Sequence, residues 1–235
     1  SSKNEKDLEI LMDIYLDAVF NPNLKNNPNI LAQEGWHYHL EDKKDDLIYK
    51  GVVYNEMKGA LSSPDRVLNN CINKSLFGDT VYGFESGGDP EEIVKLTYDG
   101  FKDFYNKYYH PSNSYIYFYG DMDIEKYLKY IDDEYLSKFD RKNIDSEVKE
   151  IKATFQKEKL GDYSVSKGEK RENDSLFALN FVVGKSTDLL FSMSMDVLTY
   201  ILFDTNASPV KKALIDSGIC EWVEGWYDNT TYQCV

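Results

Sequence analysis

Two runs that are apolar on both of their faces constrain this chain most. Between residues 114 and 119, Tyr115, Tyr117 and Tyr119 alternate with Ile116 and Phe118, and Leu176, Phe177, Leu179, Phe181, Val182 and Val183 dominate residues 176–183. Successive side chains point to opposite faces of a strand, so both runs predict strands covered on two sides. Helical spacing surrounds them. Phe101, Phe104, Tyr105 and Tyr108 share a face behind Thr97, a candidate N-cap, and Ile124, Tyr127, Leu128, Ile131 and Tyr135 share another. After the second run a helix is expected from Thr187 or Asp188 to about Phe203, and Ser208 with Pro209 opens a further one closed by Gly218. This order predicts an α+β fold, an antiparallel or mixed sheet covered by helices.

With 235 residues, 42% of them apolar, the chain can bury a core as one large domain or two smaller ones. Residues 139–174 break the pattern: charges dominate, with scattered apolar positions such as Ile151, Phe155 and Tyr163. We expect a linker at 141–174, with a short edge strand near Ala153, Thr154 and Phe155, separating segments 1–140 and 175–235. At the start, Leu8, Leu11, Met12, Tyr15, Leu16, Val19 and Phe20 form a helical stripe that Asn21 and Pro22 stop. Trp36, Tyr38 and Leu40 then alternate with His37, His39 and Glu41, predicting a half-buried strand with the histidines on its polar face.

Charge and cysteine content narrow the function. Lys and Arg total 27 against 41 Asp and Glu, a net charge of −14, which argues against nucleic-acid binding and suits a cationic peptide partner, or plain solubility. Cys71, Cys220 and Cys234 are odd in number and lack metal-type spacing, so a reducing compartment is the simpler expectation. No run reaches the roughly 20 apolar residues that would cross a bilayer, and no membrane partner is expected. The expected location is cytoplasmic, or an organelle lumen if a transit peptide lies upstream.

The candidate chemistry lies between residues 49 and 64. Glu56 stands among Val52, Val53, Tyr54, Met57 and Ala60, beside an apolar stripe if the segment is helical. A glutamate at the rim of a core, reaching water or a lysine, is the simpler account, and a metal ligand the sharper one. His37 and His39, at i and i+2 of one strand face, offer an alternative local zinc site with Glu34 or Glu41. His110, beside Pro111, reads as a capping or packing residue. The Gly87–Gly88 pair lacks the helix and Lys-Ser or Lys-Thr of a nucleotide loop, and its glycines allow close backbone approach.

The segment from Lys50 through Glu56 to Gly59 resembles the one carrying the third zinc ligand in insulinase-type (pitrilysin family) metallopeptidases, nearest the presequence protease and falcilysin branch. Four further blocks occur in the same order: residues 15–20, 33–36, 86–90 and 108–113. The resemblance implies parts of two insulinase-type α+β repeats, the later part of one in 1–140 and the opening of another in 175–235. It implies Zn2+ as cofactor, Glu56 as a metal ligand, Asn55 as a possible outer-shell neighbour, and a peptide substrate.

The family's His-x-x-Glu-His motif is absent, since the histidines are His37, His39 and His110. The chain opens almost directly on a helix and ends on what reads as an unfinished strand at 231–235, so a piece of a longer zinc peptidase is expected. Its partners would be the remainder of its own polypeptide and a peptide. Alone it should be inactive, with no catalytic base. The alternative is a non-catalytic structural or peptide-binding module.

Overall fold

Asn4 fixes the start of the first helix, its side-chain oxygen accepting from the backbone N–H groups of Lys6 and Asp7 at 3.0 and 3.3 Å. The computed structural model describes residues 2–151, 161–168 and 174–235. In chain order the elements are α1 (Glu5–Phe20), β1 (His37–His39), β2 (Ile48–Lys50), α2 (Val52–Ala60), α3 (Pro64–Phe77), α4 (Pro90–Ile93), α5 (Tyr98–Tyr108), α6 (Ile124–Glu134), β3 (Gly184–Lys185), α7 (Leu189–Thr199), α8 (Pro209–Asp216) and β4 (Gln233–Cys234). The class is α+β, with two small antiparallel sheets, β1–β2 and β3–β4. Two compact units divide it, Ser1–Ala60 with Gly87–Glu147, and Leu61–Ser86 with Val148–Val235.

The first unit is built on α1 against α6. Leu16 and Phe20 meet Ile131 and Tyr135, with Met12, Val19, Phe118, Tyr130, Leu136 and Phe139 packed around them. The buried stripe is narrower than expected: Tyr15 and Leu11 stay exposed, because α6 covers only the face carrying Met12, Leu16, Val19 and Phe20. Polar bonds pin the pair. Asp13 accepts from the hydroxyls of Tyr130 at 2.6 Å and Tyr135 at 2.5 Å, which holds its carboxyl below the usual range and pushes Tyr130 up to about 12. Lys126 reaches Glu5 and Glu9 of α1 at 2.7 and 2.5 Å. Thr97 caps α5 through the Gly100 N–H at 3.2 Å. His110 is buried against Phe139 and accepts from the Ser112 N–H at 3.1 Å, a cap and packing residue as expected.

In the second unit, α3 ends at Gly78 with φ +57°, and Arg66 pairs with Glu85. Asp188 caps α7 through the Phe191 N–H at 3.0 Å, and the helix runs on as a wider turn over Tyr200–Asp204. Ser208 precedes Pro209 of α8, but its hydroxyl accepts from the Thr205 N–H at 3.0 Å instead of capping the helix. Gly218, at φ +71°, follows the end of α8.

Two strand expectations need correction. Residues 114–119 join no sheet among the described residues, and the rings of Tyr115, Tyr117 and Tyr119 face solvent while Phe118 packs on Tyr127. Residues 176–183 are likewise unpaired over most of their length, with Phe177 and Leu179 exposed. The ladder begins only at the Val183 N–H, which donates to Cys234 O at 2.9 Å, and continues through β3 and β4. Period-two patterning states which faces a strand would bury, but a ladder also needs a partner edge in register. The edge strand expected near Ala153 lies outside the described residues.

Ile131 is 2% exposed. Ile131→Ala is expected to lower stability by about 2–5 kcal/mol and Tyr15→Ala by less than about 0.5, compared by urea unfolding.

Candidate functional site

The site is built, within the first unit, from the β1–β2 hairpin, α2 and residues 87–90. Hairpin register pairs His37 with Lys50, Tyr38 with Tyr49 and His39 with Ile48. One face carries aromatic rings: Trp36 lies edge-on to Tyr38 at 5.4 Å and to Tyr49 at 5.7 Å, and its indole N–H donates to Leu96 O at 3.0 Å. Gly51 then turns the chain directly into α2, its carbonyl accepting from the Asn55 N–H at 3.0 Å. It is buried so tightly that a Cβ would lie 2.6 Å from the carbonyl carbon of Gly35 and 2.8 Å from the Trp36 α-carbon.

Along α2, Val53, Met57 and Ala60 take the inward stripe, with Met57 buried. Val52, Asn55, Glu56 and Gly59 take the outward one. Glu56 is therefore exposed rather than nested beside the apolar stripe, because one residue of helix turns it about 100° away from Met57. Its carboxylate has no hydrogen-bond or ion-pair partner among the described residues. Asn55 is also exposed. A Cβ on Gly59 would meet no atom within 4 Å, so this face stands open. Behind it, Gly87 lies against Met57, close enough that a Cβ would overlap the sulfur and come within 3.0 Å of the methyl carbon. Asp89 caps α4 through the Glu91 N–H at 2.8 Å and anchors that loop.

His37 and His39 share a strand face, their ring centroids 5.9 Å apart, but contrary to expectation it is the half-buried face, held by their hydrogen bonds, while Tyr38 and Leu40 are exposed. Each is already engaged: His37 Nδ1 bonds the Ala32 carbonyl at 2.6 Å, and His39 Nε2 bonds Glu41 at 2.6 Å, with Lys50 on the same carboxylate at 2.9 Å. Among the described residues no group of three or more His, Cys, Asp and Glu could hold a metal ion. A local site at the histidine pair thus lacks its third ligand. Glu56 is one of several exposed carboxylates without a partner among the described residues, and a carboxylate oxygen of this kind fits one corner of a tetrahedral zinc site. Gly51, Gly87 and Met57, which fix α2, carry no chemistry of their own. Only the freedom of glycine to admit close backbone hinted at the loop, and nothing in the sequence singled out Gly51.

The sequence model of the Peptidase M16 inactive domain matches residues 95–234. The chain belongs to the insulinase-type M16 peptidase family. It is 51% identical to Protein HypA of Clostridium perfringens over 234 residues, 99% of this chain and 24% of that protein. It is 38% identical to presequence protease 1, chloroplastic/mitochondrial, of Arabidopsis thaliana over 94% of this chain and 21% of that protein. Against the mitochondrial presequence protease of Xenopus laevis the identity is 35% over 93% of this chain and 22% of that protein. The chain spans less than a quarter of the length of these relatives. The family model begins at residue 95 and leaves out Glu56, whereas the match to Protein HypA spans nearly the whole chain. Among the described residues no helix is long and apolar enough to cross a membrane.

The hydrogen bonds from His39 and then Lys50 hold Glu41 at about 2, against an ordinary 4.5. A depressed carboxylate stabilises the hairpin above its unfolded value, so this contribution is lost as pH falls from 4.5 toward 2. In carboxyl-carbon NMR, His39→Ala should move the Glu41 midpoint up toward 4.5, and an unmoved midpoint would remove His39 from the network.

Proposed function

We propose that this chain is part of a zinc-dependent endopeptidase that hydrolyses peptides or unfolded oligopeptides, and that Glu56 is one of its zinc ligands. The observation that carries the reading is the exposed, uncommitted Glu56 carboxylate on the open face of α2, in a chain of the M16 family. Bound zinc would polarise a scissile carbonyl and lower the pKa of its water to about 7. The chain's own part is to present one oxygen from a helix held from behind. Two imidazole ligands and the general base are expected on a preceding part of the polypeptide, in the inverted motif that the family resemblance implies. Asn55, one residue before the ligand, is its candidate outer-shell neighbour. By itself this stretch is inactive and holds zinc poorly.

The relatives named presequence proteases support a peptide substrate, and the net charge of −14 favours a cationic one. Residues 1–140 form the later part of a first insulinase-like repeat, 141–174 a charged connection and 175–235 the opening of a second. Cys71, Cys220 and Cys234 are free thiols, which suits the cytoplasm or a reducing organelle lumen. The description of the matched domain as inactive favours one alternative, a non-catalytic structural or peptide-gripping module.

Zinc separates the two. In the full-length protein, Glu56→Gln is expected to weaken zinc binding by about 100-fold or more and to abolish cleavage of an unstructured peptide. Wild-type zinc content and full hydrolysis in that variant would refute the ligand role. A wild-type protein without zinc would favour the module.

A further inference from the structure

We propose that Gly51 and Gly87 are positioning residues that set where α2 presents the Glu56 carboxylate, the first through backbone contact and the second through Met57. This rests on the zinc reading of Glu56. With nine residues, α2 makes only about two and a half turns, so its own hydrogen bonds cannot fix its place. Packing must, and it acts at two points.

At the N-terminal end, Gly51 sits against the segment that leads into β1. A Cβ there would stand 2.6 Å from the Gly35 carbonyl carbon and 2.8 Å from the Trp36 α-carbon. Carbon atoms rest at about 3.5–4.0 Å, so a methyl group would force the two backbones apart by on the order of 1 Å. Neither neighbour is a side chain that can swing aside, and the Trp36 indole bond to Leu96 O ties its segment down. Further along, Met57 directly follows Glu56 and is 5% exposed. The missing side chain of Gly87 makes the room for its thioether: a Cβ would overlap the sulfur and stand 3.0 and 3.3 Å from the methyl and γ carbons. A carboxylate binds zinc at about 2.0–2.2 Å with a tolerance of about 0.2 Å, so a shift near 1 Å is several times what the metal accepts.

The test is zinc affinity of the full-length protein, measured by competition with a chromophoric chelator, with Glu56→Gln as the reference. Gly51→Ala and Gly87→Ala are each expected to weaken zinc binding by about tenfold or more. Adding Met57→Ala to Gly87→Ala removes the sulfur that the new methyl meets and should recover part of the zinc affinity lost in Gly87→Ala, even though it lowers the unfolding temperature of the metal-free protein. A merely structural role predicts the opposite, a double variant worse than either single one. If Gly51→Ala does not fold, the Gly87 and Met57 variants decide. Wild-type affinity in both glycine variants, with zinc lost in Glu56→Gln, would overturn the positioning role and leave the ligand reading intact. Zinc retained in Glu56→Gln would overturn the ligand reading itself.

Discussion

The first unit depends on one close approach, the backbone of Gly51 against that of Gly35 and Trp36. Any side chain at residue 51 would enter space held by the Gly35 carbonyl, so the hairpin and α2 can meet in this way only at a glycine. That contact lets the chain leave β2 and enter a helix without an intervening loop. The hairpin in turn is set by the Tyr38–Tyr49 pair and by the indole bond of Trp36 to Leu96 O. The sequence-distant segment around α4 therefore helps to decide where α2 begins.

A second, independent anchor holds the same unit. The α1–α6 pair buries a small apolar contact, and its specificity comes from Asp13, whose one carboxylate oxygen receives both tyrosine hydroxyls. Charge-assisted hydrogen bonds of this kind are stronger than neutral ones, and their geometry fixes the rotation of each helix about its axis. Apolar area alone would tolerate sliding. Together with the Lys126 bridges to Glu5 and Glu9, they make the orientation of α6 on α1 a matter of direction as well as area.

Much of this was legible in sequence where the cause is local. The α1 stop at Asn21 and Pro22, the Thr97 cap, the start of α8 at Pro209 and the role of His110 all follow from residues within a turn of the element they govern. The misses share a different cause. Residues 114–119 and 176–183 carry strand periodicity, yet a ladder needs a second edge, and periodicity says nothing of where that edge is. The placement of Glu56 failed for a similar reason. Residue spacing put it next to an apolar stripe, and only the packing of Met57 under Gly87 shows which side of the helix is inward. What sequence could supply at this site was the type of residue, a carboxylate in a block of recognisable order.

The exposure of that carboxylate divides the labour within α2. Met57, buried one residue later, and Gly51, wedged before the first turn, fix the helix, whereas Glu56 contributes no hydrogen bond or ion pair among the described residues. A charged group at a rigid, solvated helix face needs no compensating partner and costs the fold little. It is also free to give its full charge to a ligand. Had Glu56 been tied to a neighbouring lysine, binding a metal would have meant breaking that pair and exposing an orphaned cation. On the proposal that Glu56 binds zinc, the affinity at this position would depend on how well α2 holds the side chain in place, and so on the close contacts at buried Gly51 and half-buried Gly87.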